Sequence, residues 1–473
     1  MHQAQVCIIG AGSSGITVAQ VLAARGVAFD CFEAGSGIGG NWRYGNDNEM
    51  SSAYESLHIN TSRQMMEYAA FPMPASLPDY PDHRQIARYF DDYVDHFGLR
   101  DTTTFRTEVT RVAPVGEGYE VSVRSRDGGE PETRRYREVV VANGHHWDPR
   151  WPEPSFPGAD SFPGTQLHAH YYRTPEPLVD KRVLVLGIGN SACDIAVESS
   201  RVARSTDLAM RRGAHILPKY MFGIPTDRLT DSPLVKAPLK VQQTLMAGLL
   251  RLSLGKVTDY GLPEPDHAVL HAHPTVSQDL LSRLGHGDIT VRPTIDRFEG
   301  SKVFFADGSS GEYDVVVYCT GYKVTFPFLG DEVVHAEDNH VELYRRVVHP
   351  DHPGLYFVGL IQPLGAIMPL AEAQAEWIGD LVTGVGSLPP VREMRAQIAA
   401  YDEAVRKRFV ASKRHTMEVD FHAYRSEIAR ERKESRKRVG EVGPAARPAR
   451  TTAARVFSRS RSRSVVRRRR SVP

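Results

Sequence analysis

The sequence contains little cysteine, and its cysteines are not arranged for disulfide or redox chemistry. Four cysteines occur among 473 residues, and none forms a CxxC pair. Cys7, Cys31, Cys193 and Cys319 fall in segments that we predict as strands or as a helix. A disulfide-stabilised scaffold and a disulfide reductase are therefore disfavoured, and we expect buried thiols in a reducing cytosol.

Long apolar runs are also missing. No stretch reaches the roughly eighteen residues of a membrane span, and the first predicted strand lies too near residue 1 to leave room for a signal peptide. We therefore expect a cytoplasmic protein that is not an integral membrane protein. His145, His146, His271 and His273 have no cysteine or carboxylate at metal-ligand spacing, so we predict no metal site.

The net charge of +1 hides an uneven distribution. Residues 430–473 carry sixteen Lys or Arg against three Glu, a charge of +13, which leaves −12 for residues 1–429. We predict a disordered basic tail over 430–473, because past about Gly440 it has almost nothing to bury. Binding of nucleic acid or anionic lipid through phosphate groups is a less favoured alternative to a solvated extension.

Two stretches each predict a strand, a glycine turn, a helix and a second strand. They span residues 6–33 and 182–212. In such units the first glycine makes the turn, the second admits a pyrophosphate, and the third packs helix against strand. These places hold Gly10, Gly12 and Gly15 in the first unit and Gly187, Gly189 and Ala192 in the second, where Asn190 and Ser191 add donors. We therefore predict two dinucleotide sites.

The end of the second strand differs between the units. Glu33 lies eighteen residues past Gly15, where a carboxylate can accept hydrogen bonds from ribose hydroxyls. Nineteen residues past Ala192, the matching strand ends in Arg211 and Arg212, where a guanidinium fits a 2′-phosphate. The first site is thus predicted to bind FAD and the second NADPH.

Two later strand ends suggest how the domains are joined. EVVVANG ends at Gly144 and DVVVYCTG at Gly321, each an apolar strand that runs into a small residue and a glycine. We predict an α/β protein with two Rossmann-like dinucleotide-binding domains: an FAD domain over 1–144 and 321–429, and an inserted NADPH domain over 145–320. A helical insertion around 220–262 is either a lid over the cleft or a packed insertion.

The stretch after Glu33 is suited to a flavin. Gly40 can bend the backbone around the ring system, and Trp42 can pack against it. Asn60 stands in a polar segment beyond it. Its amide could hold the nicotinamide or a flavin oxygen adduct, and an asparagine that merely ends a turn is equally consistent with the sequence.

A further pattern lies between the two units. It is F-x-G-x-x-x-H-x-x-x-Y, formed by Phe162, Gly164, His168 and Tyr172. With this fingerprint the chain resembles the flavin-containing monooxygenases over most of Gln5 to Tyr424, including the motifs GAGSSG, GGNW, INTS and GIGNSACD. The related Baeyer-Villiger monooxygenases usually carry Trp where Tyr172 stands.

The resemblance implies roles for individual residues. It implies FAD contacts at Gly10, Gly12, Ser13, Gly15, Glu33, Asn41, Trp42, Asn60 and Thr61. It implies NADP contacts at Asn60, Ser191, Ala192, Asp194, Arg211 and Arg212. His168 and Tyr172 are interpreted as organisers of the domain junction rather than as acid-base catalysts.

The resemblance also implies a reaction. In this family NADPH reduces FAD, the reduced flavin forms a C4a-hydroperoxide with O₂, and an amine nitrogen or sulfide sulfur takes the distal oxygen. Baeyer-Villiger oxygenation of a ketone and a reductase that does not oxygenate remain alternatives. The substrate and a homodimeric state are left open.

Overall fold

A computed structural model describes residues 4–230, 237–408 and 415–441. The helices are α1 Ser13–Ala24, α2 Arg63–Met66, α3 His83–His96, α4 Asn190–Val202, α5 Thr226–Thr230, α6 Leu239–Leu254, α7 Leu280–His286, α8 Met368–Val382, α9 Val391–Arg408 and α10 Phe421–Glu441. The strands are β1 Val6–Ile9, β2 Phe29–Phe32, β3 Thr103–Thr104, β4 Thr107–Val115, β5 Gly118–Ser125, β6 Glu132–Tyr136, β7 Glu138–Val141, β8 Asp148–Pro149, β9 Thr165–His168, β10 Arg182–Leu186, β11 Ser205–Ala209, β12 Ile216–Leu217, β13 Tyr220–Met221, β14 Ile224–Pro225, β15 Thr275–Val276, β16 Ile289–Arg292, β17 Ile295–Glu299, β18 Lys302–Phe305, β19 Ser310–Glu312, β20 Val315–Tyr318, β21 Tyr322–Lys323, β22 Leu355–Phe357, β23 Gln362–Leu364 and β24 Glu418–Asp420.

Five strands form the first parallel sheet, in the order β22-β7-β1-β2-β3. Its central strands β1 and β7 are short, mainly apolar runs, as expected for strands covered on one face by helices and on the other by an antiparallel sheet. Helix α1 covers one face together with α3 and α8, and the antiparallel strands β4 and β5 pack against the other. The chain leaves this sheet after β7 and returns to it only with β22.

The second parallel sheet repeats this plan in the order β16-β11-β10-β20-β9. Helices α4 and α7 cover one face, and the antiparallel strands β17 and β18 cover the other. The predicted α/β class with parallel sheets is confirmed. The stretch predicted as a helical insertion contains α5 and α6, and its residues 231–236 lie outside the described part of the chain.

The prediction that disorder begins at residue 430 is wrong for residues 430–441, which belong to α10. Arg432 and Arg436 ion-pair with Asp380 of α8 at 2.6 and 2.8 Å, and Arg25, which follows α1, reaches the same carboxylate at 2.9 Å. Two of the basic residues that suggested a solvated tail are therefore ion-paired to the body. The rest of the predicted tail, 442–473, lies outside the described residues.

Across the described ranges, no helix combines the length and the apolar character needed to cross a bilayer. All four cysteines are free thiols, and three of them are fully buried. Burial raises the pKa of Cys31 to about 12, with the charge of Glu33 acting in the same direction.

Candidate active site

The first glycine turn is so tight that it excludes side chains. Gly10 has a φ of +99°, and a Cβ at this position would lie 2.7 Å from the carbonyl oxygen of Ala142. A Cβ on Gly15 would lie only 1.9 Å from the carbonyl oxygen of Gly10. Bare backbone therefore surrounds the start of α1, which suits the binding of a pyrophosphate at the helix N-terminus.

The loop after β2 comes directly against this turn. Gly40 has a φ of +53°, and a Cβ on it would lie 3.1 Å from the Cα of Gly12, so this side of the contact favours glycine. Ser13 is the first residue of α1, and Trp42 packs partly buried against the first core. The structure thus brings together four residues that the sequence predicted for the FAD site.

Glu33 is buried beside the same turn. Its Oε2 accepts a hydrogen bond from the amide of Ala11 at 2.7 Å, and its Oε1 accepts one from the amide of Gly35 at 2.7 Å. Asn48 donates a third bond at 3.1 Å. Burial raises the pKa of Glu33, and the bonds from Ala11 and Gly35 oppose this rise. The carboxylate is therefore held rigidly at the predicted ribose position.

Asn41 fixes the next part of the loop. Its Oδ1 accepts hydrogen bonds from the amide and the hydroxyl of Ser52, at 2.9 and 2.8 Å. The neighbouring Ser51 carbonyl accepts a bond from Arg173 at 2.8 Å, which joins this loop to the segment before β10. Asn41 therefore positions the loop that contacts the segment before β10.

The second glycine turn has the same construction as the first. Gly187 has a φ of +134°, and a Cβ there would lie 2.7 Å from the carbonyl oxygen of Cys319. Gly189 precedes α4, whose first turn contains Asn190, Ser191 and the fully buried Ala192. The Oδ1 of Asn190 accepts a bond from the amide of Val276, which fixes the side chain and leaves its NH₂ group as the predicted phosphate donor.

The two turns are joined to their second strands in the same way. The amide of Gly10 donates to the carbonyl of Phe32 at 2.8 Å, and the amide of Gly187 donates to the carbonyl of Ala209 at 2.8 Å. The residues that follow those carbonyls therefore pass close to each turn. In the first unit this residue is the buried Glu33, and in the second the chain continues to two arginines.

Arg211 and Arg212 are both exposed beyond the end of β11. Arg212 is partly engaged, because its Nε lies 3.5 Å from Oδ2 of Asp266. Within the described residues, no carboxylate lies at ion-pair distance from Arg211. The two guanidinium groups are therefore not equivalent, although the sequence predicted the same role for both.

Asn60 lies in a segment that is anchored by a residue 165 positions away in the sequence. Ser62 donates from its amide and its hydroxyl to Oδ2 of Asp227 in α5, at 2.6 and 2.8 Å. Thr61 is buried beside it. The Asn60 side chain makes no hydrogen bond to the described part of the chain, so its amide can interact with a bound group.

Two tyrosines from outside the second glycine unit, Tyr54 and Tyr172, bond to α4. The Tyr54 hydroxyl donates to Asp194 at 2.5 Å, and the Tyr172 hydroxyl donates to Glu198 at 2.6 Å. Their rings meet edge to face with centroids 5.9 Å apart. Burial raises the pKa of Asp194 to about 6. Tyr172 therefore lies between Tyr54 and α4, and the sequence predicted an organising role for it at the domain junction.

The other fingerprint residues, Phe162, Gly164 and His168, make packing and hydrogen-bond contacts within the protein. Phe162 is buried under the second sheet, and a Cβ on Gly164 would lie 2.3 Å from the carbonyl oxygen of Asp314. Nδ1 of His168 accepts a bond from the amide of His170 at 3.0 Å. Burial lowers the pKa of His168 to about 4, so its ring is neutral at physiological pH.

Sequence reasoning missed three side chains that support this site. They are Asn48, Tyr54 and Asp227, which hold Glu33, Asp194 and Ser62 respectively. Two of these pairs join residues 140 and 165 positions apart. A local motif carries no signal for such pairs, because the fold alone brings them together.

Comparison with known proteins identifies the family. The family model described as flavin-binding monooxygenase-like matches residues 3–435. The chain belongs to this family. It is therefore an oxidoreductase and a flavoprotein monooxygenase, which confirms the resemblance seen in the fingerprint, and the family implies FAD and NADP as its cofactors.

Individual relatives agree with this assignment. Flavin-containing monooxygenase 5 of Rattus norvegicus is 37% identical over 442 residues, covering 91% of this chain and 83% of the relative. Dimethylaniline monooxygenase [N-oxide-forming] 2 of Rattus norvegicus is 34% identical over 443 residues, covering 90% and 82%. The solved structure of S-allyl-L-cysteine S-oxygenase from Allium sativum is similar with a TM-score of 0.68 and 28% identity, covering 92% of each chain.

Proposed function

We propose that this flavin-containing monooxygenase uses NADPH and O₂ to oxygenate a soft nucleophile, the sulfur of a sulfide or the nitrogen of an amine, in a small organic substrate. The main support is the pair of matched glycine turns. One has a buried carboxylate beside it and the other has exposed guanidinium groups, as expected for two dinucleotides of which only the second carries a 2′-phosphate.

In this proposal FAD binds at the first turn. The tight approaches at Gly10, Gly15 and Gly40 leave backbone amides to face its pyrophosphate. The rigidly held Glu33 accepts hydrogen bonds from its ribose. The FAD domain then comprises 1–144 and the chain after 321, and it continues through α10.

NADPH binds at the second turn, in the domain formed by residues 145–320. Ser191 and Ala192 at the start of α4 face its pyrophosphate, and Arg211 and Arg212 bind its 2′-phosphate. When both cofactors are bound, they supply the hydride transfer and the activation of O₂. The protein contributes position and exclusion of water rather than a covalent nucleophile.

Asn60 is the residue that we place at the reacting groups. Its unused amide can orient a cofactor while its neighbours Thr61 and Ser62 are buried. The contact of Tyr54 with Asp194 holds α4 against this region. Close packing of α4 against this region supports productive transfer of oxygen by excluding water. Water in the site would divert the reaction to peroxide.

The choice of a soft nucleophile rests on the relatives and on Tyr172. One relative is named for N-oxide formation, and one similar structure is named for S-oxygenation. Tyr172 stands where Baeyer-Villiger enzymes usually carry Trp. The buried free thiols support the further proposal that the enzyme works in a reducing cytosol.

The test is to incubate purified protein with NADPH in air and a panel of sulfides, amines and ketones. We expect flavin-dependent NADPH oxidation that a sulfide or amine stimulates, with formation of a sulfoxide or N-oxide. Ester formation from ketones alone would instead show Baeyer-Villiger activity. Prompt release of peroxide without any oxygenated product would favour the reductase alternative.

A further inference from the structure

The segment that contains Asn60 is held from two sides. On one side its backbone pairs with the segment around residue 80, since the amide of Arg63 donates to the carbonyl of Asp79 at 2.8 Å. On the other side stands the Asp227 carboxylate, which receives both donors of Ser62. Ser62 is fully buried, so neither of its donors can turn to water instead.

Asp227 belongs to the insertion, not to the domain that contains Asn60. It lies on α5, and its neighbour Thr226 is fixed by a bond from its hydroxyl to the carbonyl of Pro218 at 2.6 Å. A carboxylate that accepts two hydrogen bonds at one oxygen binds more strongly than a neutral acceptor would. The position of the insertion is therefore transmitted to Ser62, two residues from Asn60.

We propose that Asp227 is a positioning residue that sets the placement of Asn60 through Ser62, and so couples the insertion to the efficiency of oxygenation. The proposal rests on the proposed function and adds to it a residue from outside both glycine turns. Asp227 needs no contact with cofactor or substrate for this effect. It also gives the insertion a role beyond packing.

The chain offers a matched control. The Tyr220 hydroxyl donates to Asp79 at 3.1 Å, which is a polar contact between the insertion and the segment around residue 80 that pairs with the Asn60 segment. This pair is exposed and does not touch Ser62. Tyr220→Phe removes that hydroxyl alone, so it reports the effect of loosening the interface without releasing Ser62.

The first experiment follows amide hydrogen exchange in the peptide that contains Ser62, measured on the flavin-loaded enzyme without substrate. Asp227→Ala removes the acceptor of this amide, so we expect faster exchange there, with wild-type exchange in Tyr220→Phe. Asp227→Asn keeps an acceptor oxygen and should give an intermediate rate. Unchanged exchange in Asp227→Ala would overturn the proposal.

The second experiment measures peroxide released per oxygenated product. Asp227→Ala should raise this ratio about tenfold, the factor expected for one charge-assisted hydrogen bond. Asn60→Ala should raise it as well, and the double variant should be no worse than Asn60→Ala because both changes act through one side chain. Additive effects would show a merely structural role and refute the proposal.

The proposed function and the role of Asp227 can be refuted separately. If wild-type enzyme binds flavin but oxygenates no member of the substrate panel, the proposed function falls and this inference falls with it. If the wild type is well coupled and Asp227→Ala is equally well coupled, only the inference is wrong.

Discussion

The sharpest consequence of the structure concerns the two arginines after β11. Arg211→Ala should weaken NADPH binding and leave NADH binding unchanged, because only NADPH carries a 2′-phosphate. A charge-assisted hydrogen bond contributes about 1.5 to 3 kcal/mol, which corresponds to a roughly ten- to 150-fold loss of NADPH affinity. Arg211→Lys should fall between, since it keeps the charge and loses the planar fork.

Arg212→Ala should have a smaller effect than Arg211→Ala. The Nε of Arg212 already lies 3.5 Å from Asp266, so part of its charge is engaged before any phosphate binds. Asp266→Asn releases that guanidinium and should tighten NADPH binding by no more than about threefold, because exposed ion pairs are weak. It is the matched charge-neutralising control for the site.

The assay is the rate of flavin reduction under anaerobic conditions as a function of NADPH and of NADH concentration. The dissociation constant for each nucleotide follows from the saturation curve. Equal losses for NADPH and NADH in Arg211→Ala would show that this side chain contacts a group common to both nucleotides. A larger effect of Arg212→Ala would show that the inequality inferred from Asp266 is wrong.

Three further outcomes follow from packing and charge. Gly15→Ala should abolish flavin retention, because its Cβ would lie 1.9 Å from the carbonyl oxygen of Gly10. Retention is measured as the ratio of flavin absorbance to protein absorbance. The control is Gly248→Ala, whose Cβ would lie in open space, and this variant should retain flavin. Asp380→Asn should lower the free energy of unfolding by about 2 kcal/mol at neutral pH. Burial acts to raise the pKa of Asp380, but its arginine partners hold this pKa below the usual range. The stabilisation is therefore present above about pH 4 and lost as the pH falls further. A difference in denaturation midpoint between wild type and variant that persists in acid would contradict this. Because burial lowers the pKa of His168 to about 4, His168→Gln should leave the pH profile of NADPH oxidation unchanged between about pH 6 and 8. A titration step that is present in the wild type and disappears in this variant would give His168 a role in proton transfer.

The part of the fold that sequence reasoning predicted rests on short-range patterns. The glycine spacing at residues 10–15 and 187–192 predicted two strand-turn-helix units, and the structure shows φ values or close approaches at Gly10, Gly15 and Gly187 that exclude a larger residue. The apolar run in EVVVANG predicted a strand, and the structure buries every residue of that strand. These features could be predicted because they depend on residues a few positions apart.

The charge pattern of the C-terminal segment was misleading for the same reason. Sequence composition shows sixteen basic residues after 429 but not the carboxylate that two of them, Arg432 and Arg436, contact. Asp380 lies some fifty positions earlier, and only the packing of α10 on α8 brings it against Arg432 and Arg436. Composition alone therefore favoured a solvated chain where the fold forms an ion-paired helix.

The candidate site divides along the same line. Glycines, Glu33 and the arginine pair were evident from spacing, since each acts within one strand-turn-helix unit. The partners that orient them were decided by tertiary contacts: Tyr54 with Asp194, and Ser62 with Asp227. Residues far apart in the chain become neighbours only when two sheets pack together, because hydrogen bonds and buried charges require contact in space and leave no periodic trace in the sequence.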